Sequence, residues 1–148
     1  VDTFVAGFIG SPGMNFITMD VSATTPVLLD EGSFTLSVPA DHPLAGDKDT
    51  TMEELLDGYR GEKLLLGIRP EHVHASPEDC ARPAKVQLRH EVSEMLGSEM
   101  YLYLRSETHR ITGRSSAVRH YELDESIPVY FDMSKVHFFD PANGLRIR

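Results

Sequence analysis

The sequence predicts a mainly β protein on three observations. Apolar residues recur at every second position or in short runs, turn residues bound those runs, and about ten such segments follow one another at near-regular spacing. That spacing argues for barrels or a sandwich rather than a sheet built from helical crossovers. With 148 residues the chain is the size of one ordinary domain or two very small ones, long enough to bury a core without staples.

The one helical signal opens the chain. Asp2 can cap a short helix in which Phe4 stacks on Phe8 and Val5 on Ile9 one turn apart, before Gly10, Ser11 and Pro12 end it. Such a helix needs something to bury against, and Phe4, Phe8, Met14 and Phe16 are read as residues that pack on a neighbouring domain. Strands are then predicted at Asn15–Val21, Thr25–Leu29, Ser33–Val38 and Lys63–Arg69, with Asp30-Glu31-Gly32 as the turn of a hairpin in which Gly32 takes positive φ. Residues 40–50 carry Pro43, Gly46 and three acids, which suits a loop. Thr51–Leu56 reads as one short helix, with Glu53 and Glu54 in its first turn and Gly58 closing it.

The second half starts after a loop over residues 75–83. Strands are predicted at Ala84–Met95, Met100–Leu104, Arg110–Gly113, Ile127–Phe131 and Val136–Phe139, with Gly97 ending or bending the first of them. Asp140-Pro141-Ala142-Asn143-Gly144 forms a turn into a last short strand, Leu145–Ile147. Phe131, Phe138 and Phe139 are read as core or barrel-mouth aromatics.

Charge and cysteine content narrow the function classes. Residues 1–74 carry a net charge of −8 and residues 75–148 of −1, so a nucleic-acid role is disfavoured, because binding phosphate backbones relies on clustered Lys and Arg. Arg105, Arg110, Arg114 and Arg119 read as a solvated face. One cysteine, Cys80, leaves no internal disulfide, and the opening has no charged-then-apolar leader, which together predict a reducing, cytosolic setting. A chain that starts on Val1 fits a segment of a longer protein. No apolar run approaches the roughly 20 residues a membrane helix needs.

No catalytic constellation emerges. Gly7, Gly10 and Gly13 imitate a phosphate loop but lack the Gly-x-Gly of a dinucleotide turn and the Gly-Lys-Ser/Thr of a P-loop. His72 and His74 share a strand face with Cys80 six residues on, yet a structural metal site wants a fourth ligand at a paired spacing, and the other histidines are scattered. Ser11, Ser98, Ser115 and Ser116 have no spacing that ties one to a histidine and an acid. Gly67-Ile68-Arg69-Pro70-Glu71-His72 is the best candidate for a site that matters without catalysis. Pro70 ends the strand, holds Arg69 extended, and presents Arg69 and Glu71 at a turn where they can pair within the chain or across an interface.

Four blocks occur in a telling order: the segment from Phe4 to Phe16, Gly67-Ile68-Arg69-Pro70-Glu71-His72, Glu94-Met95-Leu96-Gly97-Ser98-Glu99, and His137-Phe138-Phe139-Asp140-Pro141. Together they resemble the C-terminal part of the ATP-binding subunit of sugar-importing ABC transporters, as in the maltose, multiple-sugar and glycerol-3-phosphate importers. The resemblance narrows the fold to small Greek-key barrels of the oligonucleotide/oligosaccharide-binding (OB) type with a short N-terminal helix and one more short helix. It implies that residues 1–13 are the remnant of a helix joining a missing ATPase domain and that 14–148 form the regulatory domain. It further implies no catalytic residue, cofactor or metal in this piece, with ATP and Mg in the missing domain. The implied partners are a second copy of the subunit, the membrane permease reached through the ATPase domain, and a regulatory protein, at the inner face of the plasma membrane. Arg69, Glu71 and His72 become an expected subunit or regulator interface. The alternative is an oxyanion sensor like those at the end of molybdate and tungstate importer ATPases, for which Arg114, Ser115 and Ser116 are the candidate residues.

Overall fold

A computed structural model describes residues 13–24, 27–38, 54, 56–116, 119–145 and 147. The predicted opening helix with Phe4 and Phe8, and the loop over 40–50, lie outside the described residues. Ten strands follow in chain order: β1 Asn15–Val21, β2 Leu28–Asp30, β3 Thr35–Ser37, β4 Lys63–Ile68, β5 Val73–His74, β6 Pro83–Leu96, β7 Glu99–Arg105, β8 Arg110–Ser115, β9 Ser126–Asp132 and β10 His137–Phe139. They form a five-stranded sheet in the order β10-β4-β1-β2-β3 and a closed barrel in the order β5-β8-β7-β6-β9. The mainly β, OB-type expectation holds.

The sheet is built on β4. Leu64, Leu65, Leu66, Gly67 and Ile68 are all buried, and β4 lies inside the sheet with β1 along one edge and β10 along the other. That is why β4 reads as an uninterrupted apolar run instead of an alternating one. Strand β1 alternates cleanly, with Asn15, Ile17, Met19 and Val21 turned inward. Strand β10 belongs to the last stretch of the chain yet pairs with β4 through His137↔Gly67 and Phe139↔Leu65, so the C-terminal segment closes the first sheet. Phe138 is core and Phe139 half-buried.

The barrel turns on one bent strand. Strand β6 pairs with β9 over its first half, Pro83↔Asp132 to Arg89↔Ser126, and with β7 over its second half, Arg89↔Arg105 to Leu96↔Glu99. A bulge between His90 and Val92 marks the change of partner, as bulges do where a strand bends. His90 is buried there, with Nδ1 3.0 Å from the Glu122 carbonyl, Nε2 2.7 Å from Ser93 Oγ and its ring against Tyr121. Gly97, at φ +68°, is the first residue of the two-residue turn joining β6 to β7, the place a type II′ hairpin reserves for glycine. It therefore ends β6 rather than bending it.

Several predicted boundaries shift. Strand β2 runs one residue further, to Asp30, because Asp30 pairs with both Asp20 and Thr35. The turn then lies at Glu31–Phe34, closed by the Glu31 N–H donating to the Phe34 carbonyl at 2.9 Å, with Gly32 at φ +117°. In the predicted helix before β4 only Glu54 and Leu56 are described, both helical, and a 3₁₀ turn Asp57–Tyr59 follows. Gly58 lies inside that turn; Gly61 at φ +78° ends it, its N–H donating to the Val21 carbonyl at 2.9 Å. No strand forms at Leu145–Ile147 among the described residues, although the Ile147 N–H reaches the Phe138 carbonyl at 2.7 Å. The predicted loop over 75–83 contains a 3₁₀ turn, Pro77–Asp79.

One apolar core serves both sheets. It runs from Ile17, Met19, Leu29, Leu36 and Leu66 through Val73 to Val86, Leu102, Leu104, Val129 and Phe131. No helix among the described residues is long and apolar enough to cross a membrane.

Candidate functional site

The turn at Pro70 lies where the sheet hands over to the barrel. Strand β4 stops at Ile68, Arg69 is extended at φ −76°, ψ 151°, and Pro70 opens a 3₁₀ turn, Pro70–His72, whose last N–H donates to the Arg69 carbonyl at 2.9 Å. Proline suits that first position, since its fixed φ is right and its missing N–H costs nothing. Pro70 is buried, Glu71 is exposed and the imidazole of His72 is half-buried. Burial pushes the His72 pKa down, with Lys135 and His74 adding to the effect against the opposing pull of Glu71 and Asp132. Arg69 and Glu71 make no ion pair with each other among the described residues; Arg69 is half-buried at the handover and Glu71 exposed.

Val73 and His74 follow directly as β5. It pairs antiparallel with β9 at Val73↔Phe131 and parallel with β8 at His74↔Arg114, which closes the barrel. The approach to β8 is close: a Cβ on Gly113 would lie 3.0 Å from the Val73 carbonyl oxygen and 3.1 Å from its Cγ1. His72 and His74 contact edge to face at 6.5 Å. Cys80 does not join them; its Sγ faces the Tyr130 carbonyl at 3.7 Å, and burial, then Asp132 and Asp79, push its thiol up to about 11. No group of three or more metal-binding side chains occurs among the described residues.

An open groove of about 330 Å³ flanks the turn, lined by Glu71, His74, Asp79, Glu99, Arg114 and Ser116. It contains the Arg114 and Ser116 of the oxyanion reading, in an unfavourable setting. The Arg114 guanidinium is held by Glu99 at 2.6 Å and lies over the Tyr101 ring at 5.9 Å, and three carboxylates line the same groove. Ser115 is buried on the inner face of β8 while Arg114 is on the outer face, so the two cannot line one pocket.

Met14 and Phe16, read as interdomain residues, have partners within the chain. Phe16 meets Phe139 edge to face at 5.6 Å, and a Cβ on Gly67 would lie 2.6 Å from Met14 Sδ and 2.8 Å from Phe139 Cε2. Gly67 is thus the gap in β4 into which Met14, just before β1, and Phe139 of β10 pack.

Reading the sequence misses a second cluster. Glu31, in the β2–β3 turn, has a fully covered carboxylate that accepts hydrogen bonds from Ser33 N at 3.0 Å and Ser33 Oγ at 2.5 Å. Across the joint to the barrel it also accepts from Ser106 Oγ at 2.5 Å, from Thr108 Oγ1, and from His109 Nδ1 at 2.6 Å. Burial raises its pKa, but the hydrogen bonds from Ser106, Ser33, Thr108 and His109 outweigh burial and hold it down at about 2. An acid beside an imidazole imitates a catalytic pair. However, His109 Nε2 accepts the Thr18 N–H at 3.1 Å, so the nitrogen a general base would use is occupied. The five residues span 78 positions, with no fixed spacing to give them away.

Comparisons with known proteins agree with this geometry. The family model of the MalK OB fold domain matches residues 10–73, which end in β5. The model of the TOBE domain matches residues 66–139, half of the chain, from within β4 to the end of β10. Among similar proteins, the oligosaccharides import ATP-binding protein MsmX of Bacillus subtilis is 34% identical over 99% of this chain and 38% of its own length. The multiple sugar-binding transport ATP-binding protein MsmK of Streptococcus mutans is 35% identical over 98% of this chain and 36% of its length. The trehalose/maltose import ATP-binding protein MalK of Thermococcus litoralis is 36% identical over 99% and 37%. The chain therefore spans well under half the length of these relatives. The cytoplasmic molybdate-binding protein ModG, solved with molybdate bound, shares the fold at a TM-score of 0.59 and 14% identity, covering 86% of this chain and 96% of that one. With the TOBE match spanning the turn at Pro70, the whole barrel and the returning β10, the chain belongs to the TOBE domain family.

Proposed function

We propose that this chain is the regulatory and dimerisation domain of the ATP-binding subunit of an ABC importer for sugars or related solutes. One observation carries the reading: sugar-import ATP-binding proteins from three organisms match it at 34–36% identity over almost its entire length. The chain holds no Gly-Lys-Ser/Thr run, so ATP and Mg belong to the remainder of the parent, where hydrolysis takes place. Residues 1–13 lead to that ATPase domain and residues 14–148 are the regulatory domain, with Met14 and Phe16 packed within it. Arg69, Glu71 and His72 face a second subunit or a regulatory protein. The parent works at the inner face of the membrane through permease subunits.

The fold likeness to ModG keeps the oxyanion reading as a comparison, and the Arg114–Glu99 pair with its acidic surroundings speaks against it. Calorimetric titration of the chain with ATP, molybdate, sulfate and a panel of sugars tests both readings. The regulatory-domain reading expects no heat from ATP or from molybdate. ATP binding by a preparation free of contaminating ATPase overturns that reading, and tight molybdate binding replaces it with the sensor.

A further inference from the structure

The β2–β3 hairpin pairs with its own sheet over a short ladder. Its ladder to β1 has two residue pairs, Asp20↔Asp30 and Val21↔Leu29, whereas β1 and β4 share six. Hydrogen bonds from Ser22 N to the Leu28 carbonyl and from Leu28 N to Ser22 Oγ add to it at the same end. At its other end the hairpin reaches the barrel. Phe34 meets Phe131 edge to face at 6.0 Å, and Phe131 lies on the buried face of β9 with Ile127 and Val129. Beside it, the Glu31 carboxylate collects three side-chain donors of the β7–β8 loop, from Ser106, Thr108 and His109. His109 then ties the same carboxylate to β1 through Thr18 N–H. The hairpin is thus docked by its apolar face, with Val27, Leu29, Leu36 and Val38 in the core, and at its turn by one aromatic contact, a hydrogen bond from Glu107 N–H to Ser33 Oγ and one buried anion that links hairpin and barrel and, through His109, β1.

We propose that the β2–β3 hairpin is a strap across the end of the barrel that opens as a local unit, and that Glu31 is its latch. A short ladder at a sheet edge opens at lower free energy than a closed barrel, so the docking contacts, rather than the ladder, set how often the strap lifts. Losing the anion leaves three donors from the β7–β8 loop facing a weaker acceptor, and that penalty falls on the docked state alone. Lifting the strap uncovers Leu29, Leu36 and Phe34 together with the Phe131 end of the barrel, without breaking any strand pair of the barrel itself.

Hydrogen exchange followed by mass spectrometry on the chain at neutral pH is the test, comparing peptides over 27–38 with peptides in β4, β6 and β9. In the wild type the hairpin should exchange faster than the barrel strands. Glu31→Gln should speed the hairpin roughly tenfold further while leaving β6 and β9 unchanged. Ser106→Ala, which keeps the carboxylate and removes one barrel donor, should give a smaller change confined to the same peptides, and it serves if the glutamine variant does not fold. Equal acceleration of hairpin and barrel, or no acceleration in either variant, would show that Glu31 is only a contributor to global stability and overturn the latch.

Discussion

Glu31 is the residue at which this fold is most exposed to pH. In the folded chain its carboxyl is held at about 2, against 4.5 for an unperturbed glutamate. A group whose folded value is depressed contributes stability above its unfolded value and loses it as pH falls toward the folded one. The contribution is therefore complete above pH 4.5 and disappears toward pH 2, with an upper size of about 3 kcal/mol. Asp132 shifts in the same direction, since hydrogen bonds from Ser134, Ala81 and Arg82 outweigh its burial. Urea unfolding at pH 7, 5 and 3 should show a steep loss for the wild type and a shallower one for Glu31→Gln, which starts lower and has no proton to gain there. Parallel pH profiles for the two proteins would rule out Glu31 as the source. Gly67 makes a second residue-scale case. An alanine Cβ would press on Met14 Sδ, which can move, and on the Phe139 ring, which is braced by Phe16. Gly67→Ala should cost about 1–3 kcal/mol in urea unfolding, and Met14→Ala in the same chain should recover only part of it.

At the scale of elements, the joint between sheet and barrel depends on side chains that replace missing strand pairing. Asn15 is buried at the start of β1; its Nδ2 donates to the Thr112 carbonyl at 2.8 Å and its Oδ1 accepts the Thr112 N–H at 2.8 Å. The amide thus occupies the edge of β8 as a backbone neighbour would. Asn15→Leu removes both side-chain partners of the half-buried Thr112 backbone, and we expect a loss of about 1–3 kcal/mol, larger than for an exposed asparagine. Measured stability within 0.5 kcal/mol of wild type, on the scale of ordinary surface changes, would mean that water takes over the Thr112 groups. Gly113 acts at the next contact along β8, where Val73 approaches to within 3.0 Å of a would-be Cβ. Because the crowding atom is a backbone carbonyl, Gly113→Ala should loosen β5 from β8 and open the barrel seam. Exchange of the β5 and β8 amides reports that directly.

At the scale of the whole molecule, the turn at Pro70 sets two charged side chains, half-buried Arg69 and exposed Glu71, on a buried scaffold. Replacing Arg69 and Glu71 together by alanine should leave the melting temperature of the chain nearly unchanged, since surface substitutions usually stay within about 0.5 kcal/mol. In the full-length parent the same change should weaken self-association, seen by sedimentation over a concentration series. Unchanged association with a destabilised chain would make the pair a local fold contact. Much of this architecture is legible in the residues themselves. Alternation in β1 and β7, the apolar run of β4, Pro70 as a stop and Gly97 as a turn all follow from local periodicity and backbone sterics. Those signals act over a few residues, and a single sequence carries them in full. What the tertiary structure alone decides acts over long separations: β10 returning to β4, two-residue β5 closing the barrel, Asn15 finding Thr112, and Glu31 gathering Ser106, Thr108 and His109. None of these has a period or a fixed spacing. A buried polar group must find partners wherever the packed chain brings them, so their positions are set by how the core closes and not by any neighbouring residue.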